Sequence, residues 1–203
     1  MLAPVRVQAW NMTDLSATGT DSFLVPGTLL SLAELHAMKL DGVLWPIFAD
    51  AFRPVGVAES PELRAAALTH QIPASLVRRA ALSQLSAAWV YGCAPPPEVI
   101  SLAQNHTGKS ASLPPFSGCS LRQVHLATTD VHHVGQALVT SPLRTAMDVA
   151  RTAPYSLARD VVVRMSVLPS LQCPLGRIRQ ALGLATHVPG KKRGQALLEE
   201  LIG

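Results

Sequence analysis

The sequence predicts a mixed α/β fold of the α+β kind. Three observations lead there. Short β-type runs gather in the middle of the chain, and helical patterns with recognisable caps precede and follow them. Hydrophobic residues make up 48% of the 203 positions and charged ones only 15%, which is enough apolar surface for a real core.

The first 28 residues, rich in Thr, Ser, Asp and Gly, read as an irregular lead-in. A helix is expected from Ser31, because Ser31 and Glu34 have the spacing of a capping box. It runs through "LAELHAMKL" and stops at Asp41-Gly42. Two strands, "VLWPIF" and "AFRPVG", follow as a pair about Ala49-Asp50. Ser60-Pro61 opens a second helix with a capping serine and a proline in the first turn. After Pro73, "SLVRRAALSQLSAAWVYG" reads as a strand running into a short helix that Gly92 ends. "APPP" forces an extended connection. "EVISLAQ" and "SLRQVHLA" are strands joined by a long polar loop, and residues 131–140 form a further strand pair about Gly135. Helices start near Ser141, Ser156 and Pro174, and the amphipathic "GQALLEELIG" closes the chain. No repeat of 20–50 residues is visible.

No apolar run reaches the roughly 18 residues of a membrane span. No basic region precedes a long apolar core near the start, so a cytoplasmic protein without a signal peptide or membrane partner is expected. Cys93, Cys119 and Cys173 form neither a CxxC pair nor a disulfide framework and read as packing residues. The net charge of +4 is uneven: residues 1–140 hold 8 Lys/Arg against 9 Asp/Glu, and residues 141–203 hold 9 against 4. An anionic partner would therefore favour the last third.

Motifs for chemistry are sparse. "HTGKS" lacks the glycine a P-loop needs five residues before Gly108, where Ala103 stands, so it reads as a mobile surface loop. His132 and His133 point to opposite sides of a strand, and the other histidines show no metal-ligand spacing. A G-x-S-x-G elbow is absent, and Asp148, Asp160, Glu199 and Glu200 lack the clustering of a Mg²⁺ nuclease site. No enzymatic activity, metal or cofactor is expected.

"LVTSPLRTAMDVAR", residues 138–151, holds the main puzzle. In the helix after Ser141, Leu143, Ala146, Met147 and Ala150 share an expected core face, and Arg144, Asp148 and Arg151 form a separate stripe. Arg144 stands in the first turn, where a cation opposes the helix dipole at a cost of about 0.3–1 kcal/mol. Arg before Asp is also the weaker order for an i,i+4 pair. The stripe is either a solvated ladder or a tertiary device in which Arg144 bonds Asp148 and a carbonyl or anion beyond it. The second reading accounts for the unfavourable placement.

The same residues carry a resemblance. "VTSPLRTAMDVAR", with "LSAAWVYG" and "ESPELRAAAL" upstream, resembles the AbiEi-type antitoxins of bacterial type IV toxin–antitoxin systems, above all their short actinobacterial forms. The shared pattern is filled by Val139, Thr140, Ser141, Pro142, Arg144, Thr145, Asp148 and Ala150. "AELHAMKLDGVLWPIFADAFRPV" resembles what such proteins keep of a winged helix, one helix and the wing strands.

The resemblance implies a reduced winged-helix-like unit with its lead-in over residues 1–58, packed on an antitoxin-type α/β domain over 59–203 that ends in helices. It also implies a non-enzymatic, DNA-binding autorepressor that counteracts a nucleotidyltransferase-like toxin without necessarily gripping it. The first helices of a complete winged helix are not recognisable before Ser31. Lys39 is the one cation of the candidate recognition helix, and Arg53 lies on a wing strand.

At the other end, Lys191, Lys192 and Arg193 start the last helix and Glu199-Glu200 lie near its end, both against the dipole. Either neighbouring groups and solvent neutralise them, or the three cations, with Arg177 and Arg179, contact phosphates of operator DNA or an acidic partner. Two other functions compete. One is a recognition module related to the N-terminal region of Vsr-like endonuclease proteins, and the other is a partner-binding protein without nucleic-acid contact.

Overall fold

In a computed structural model the chain is described at residues 23–27, 29–106, 112–186 and 188–203. Most of the lead-in, the "TGKSA" segment at 107–111 and His187 lie outside these. The architecture is α/β. A two-stranded sheet and a mixed five-stranded sheet are packed with seven α-helices among the described residues.

Helix α1 (Leu32–Leu40) starts on the expected capping box: the Ser31 Oγ accepts from the Glu34 N–H, and the Glu34 carboxylate accepts from the Ser31 N–H at 2.7 Å. It leads into the antiparallel hairpin of β1 (Leu44–Phe48) and β2 (Ala51–Pro54). Leu24 adds one antiparallel bridge to Phe52, on the far side of β2. Leu35 from α1, Leu44 and Phe52 close a small core. The hairpin's other face, with Ile47 and Ala51, belongs to the main core, as expected of a small unit packed on the rest of the chain.

Helix α2 (Pro61–His70) has the expected Ser60 cap. The strand expected after Pro73 shrinks to β3 (Ala81–Leu82). The preceding residues curl instead into turns, with Leu76 N–H on Pro73 O and Arg79 N–H on Leu76 O, because the fully buried Leu76 side chain plugs the core there. Helix α3 (Gln84–Val90) ends in a Schellman motif: Cys93 N–H reaches Ala88 O at 2.8 Å and Gly92 N–H reaches Trp89 O at 2.9 Å. Gly92 supplies the left-handed φ of 77° that this ending requires.

Strands β4 (Ile100–Asn105), β5 (Cys119–Val124), β6 (Val131–Val134) and β7 (Ala137–Thr140) complete the large sheet in the order β5-β4-β3-β7-β6. The β4–β5 and β3–β7 pairs are parallel, and the other two are antiparallel. β5 and β6 are therefore the two edges, and residues 125–130 carry the chain from one to the other. Four helices follow: α4 (Pro142–Thr152), α5 (Tyr155–Val167), α6 (Leu175–Leu184) and α7 (Lys191–Ile202). Helix α4 is central and packs against α3, α5, α6 and α7. For that reason the expected core face of α4 needs correcting. Ala146, Val149 and Ala150 are buried with Thr145, Asp148 and Arg151, while Leu143 and Met147 are only half-buried.

Candidate functional site

The strand-to-helix joint at 138–151 is held by polar groups taken out of water. At Thr140 the chain leaves β7, and its hydroxyl lies 2.7 Å from that of Thr145 in the first turn of α4. Thr145 Oγ1 also donates to Thr140 O at 3.0 Å, and the Tyr91 hydroxyl donates to the same carbonyl at 2.8 Å. Ser141 caps α4 by accepting from the Arg144 N–H, and Pro142 occupies its first turn. Both threonine side chains are fully buried, so these hydroxyls satisfy each other where water cannot.

Arg144 takes the tertiary role. Its Nε donates to Asp148 Oδ2 at 3.0 Å, and one terminal nitrogen donates to His125 O at 3.0 Å and to Asp130 Oδ2 at 2.9 Å. It thus binds both ends of the segment that joins the two sheet edges. Asp148 is shared: Arg151 donates to its other oxygen at 3.0 Å from Nε and 2.7 Å from Nη2. The remaining Arg151 nitrogen donates to Pro189 O at 2.9 Å. Two guanidinium groups and two carboxylates alternate as Arg151, Asp148, Arg144, Asp130. The solvated-ladder reading is corrected: the Asp148 and Arg151 side chains are only 6% and 8% exposed. The dipole penalty at Arg144 is offset by these two carboxylates. Sequence reasoning missed Asp130 and the His125 carbonyl, since contacts 14 and 19 positions away leave no local spacing signal.

The cations expected to meet nucleic acid are scattered. Lys39 is exposed in the last turn of α1. Arg53 does not face solvent, and here the expectation is corrected. Both faces of β2 are covered, and the Arg53 guanidinium bonds Val57 O and lies 4.9 Å from the Trp45 ring centre. Lys191 donates at 2.7 Å to both Gly183 O and Ala185 O, capping the end of α6. Arg193 bonds Ala153 O just past α4, and Arg177 donates to Gln172 O at 2.7 Å. Arg179 and Lys192 are exposed.

Cys93 and Cys173 are buried and Cys119 is half-buried, as packing residues should be. Burial pushes all three thiols upward, Cys93 to about 11. Among the described residues no group of three or more His, Cys, Asp or Glu could hold a metal ion, and no helix is long and apolar enough to cross a membrane. The site therefore defines the chain as an α/β protein whose most distinctive polar cluster is a buried clasp. No family model matches the chain, and no curated protein matches it.

Proposed function

We propose that this chain is a non-enzymatic antitoxin of a type IV toxin–antitoxin pair that also represses its own operon, acting on a nucleotidyltransferase-like toxin. One observation carries the reading. Every polar residue of the motif that resembles AbiEi-type antitoxins is consumed in internal bonds: Thr140 with Thr145, and Arg144 with Asp148. A motif used in this way marks a scaffold and leaves no side chain over for catalysis. The bridge at Leu24, helix α1 and the β1–β2 hairpin support a reduced winged-helix-like unit, with Lys39 as an exposed cation among its described residues.

Co-expression with the neighbouring gene tests this reading. Growth arrest by the neighbour alone and rescue by this chain are expected. Failure to rescue, or a neighbour unrelated to nucleotidyltransferases, overturns it. Binding to the promoter fragment of the pair is read by gel shift, and Lys39→Ala is expected to weaken it and to flatten its salt dependence.

A further inference from the structure

Two adjoining cavities run along α4. One, of about 1110 Å³, opens where the parallel strands β4 and β5 end, at His106 and His125, and reaches across Arg151 to Ala185 and Pro189. The other, of about 670 Å³, lies between the start of β6, the first turn of α4 and the 170–184 segment. Asp130, Arg144, Met147 and Leu184 line both, so together they make one elongated groove. Small-molecule pockets measure roughly 300–1,000 Å³. The groove exceeds what one such ligand would fill, and its shape suits a chain.

Its charge is one-sided. Arg144 and Arg151 are balanced by Asp130 and Asp148, which leaves Arg122 near one end and Arg177 at the other. Both are exposed, and among the described residues neither ends on a carboxylate. Exposed imidazole rings stand beside them: His106 and His125, with ring centres 5.9 Å apart, and His132 beside the far end. Cations that track a backbone, interleaved with flat rings on which bases can stack, are the chemistry by which single strands are held.

We propose that the groove along α4 binds single-stranded nucleic acid, with Arg122 and Arg177 on phosphates and the histidine rings against bases. This goes beyond the antitoxin reading and does not depend on it, since operator binding would involve duplex DNA and the α1 unit.

The test is fluorescence anisotropy of the full chain with labelled 12-nucleotide single-stranded RNA and DNA, against the same sequence as a duplex and against poly-glutamate. Single strands are expected to bind best. Arg122→Ala with Arg177→Ala should weaken them at least tenfold and lower the log–log salt slope by about 1.4, roughly 0.7 per lost phosphate contact. Arg159→Ala, on α5 and outside the groove, should leave affinity within twofold. His106→Ala with His125→Ala should weaken binding with the salt slope unchanged. Thermal unfolding of each variant guards against loss of fold. No binding, equal affinity for duplex or poly-glutamate, or equal loss in Arg159→Ala overturns the proposal. Growth rescue in the co-expression assay is read separately, so either idea can fail alone.

Discussion

At the scale of single residues, Asp148 is the group on which the clasp turns. It is 4% exposed and neutralises two guanidinium groups with one oxygen each. Taking away one partner of a buried ion pair leaves the others uncompensated, which costs about 3–5 kcal/mol. Asp148→Ala is therefore expected to lower unfolding free energy in urea by that amount. Arg144→Ala should cost less, because Arg151 still satisfies Asp148. A double-mutant cycle between positions 144 and 148 should show strong coupling, and additive losses would sink the clasp. Cys93 gives a second residue-scale expectation. Burial raises its thiol from 9.0 to about 11, so the folded state favours the protonated form. That contribution is whole below pH 9 and is lost as pH climbs to about 11. Urea midpoints should fall across this window in the native chain, and more gently in Cys93→Ala.

At the scale of elements, the charges that oppose the α7 dipole are explained by its neighbours. Lys191 and Arg193 cap carbonyls at the ends of α6 and α4, where negative partial charge collects. Glu200, near the end of α7, accepts from Tyr155 in the first turn of α5 and lies 3.9 Å from Arg159. Antiparallel packing places the start of one helix beside the end of another, so a residue ill-suited to its own helix can suit the next. Capping boxes, prolines and apolar runs made nearly every helix and strand legible, because those signals act within a few residues. The partners of Lys191 and Arg193, and the Asp130 and His125 partners of Arg144, were illegible because packing alone brings them together. Gly190 belongs to the same joint. Its φ is 78°, and a Cβ there would stand 2.4 Å from Arg151 O. Gly190→Ala should cost more than about 1 kcal/mol by strain and by displacing the carbonyl segment that Arg151 binds. Gly183, inside α6 with nothing within 4 Å of an added Cβ, makes the control. Gly183→Ala should be neutral or stabilising by up to about 1 kcal/mol. Paired melting curves decide the matter, and equal effects at the two sites would rule out the joint.

At the scale of the whole molecule, residues before 58 contribute both to a small core of their own and to the main core. The α1 unit has its own small cluster of Leu35, Leu44 and Phe52, which three residues cannot make stable alone. The hairpin closes a second contact on its other face, where Ile47 and Ala51 enter the main core and Phe48 stands 5.5 Å from Trp89. That the unit packs on the rest was expected, but which hairpin residues make the contact was not legible in the sequence. A strand covered on both faces reads as a continuous apolar run, and Arg53 interrupted it. Two cores that share a hairpin should unfold together, so thermal melting of the intact chain is expected to show one transition by every probe. Tryptophan makes the coupling measurable, because Trp10, Trp45 and Trp89 are the three in the sequence and deletion of 1–58 leaves Trp89 alone. In the intact chain Trp89 is 4% exposed. Its reference is the full-length chain with Trp10→Phe and Trp45→Phe, whose emission should be that of a buried indole. The deletion strips Phe48 and Ile47 from the region around Trp89, so its emission should move to longer wavelength and its melting temperature should fall by several degrees. An unshifted spectrum with an unchanged melting temperature would make residue 58 a true boundary and the hairpin a passenger.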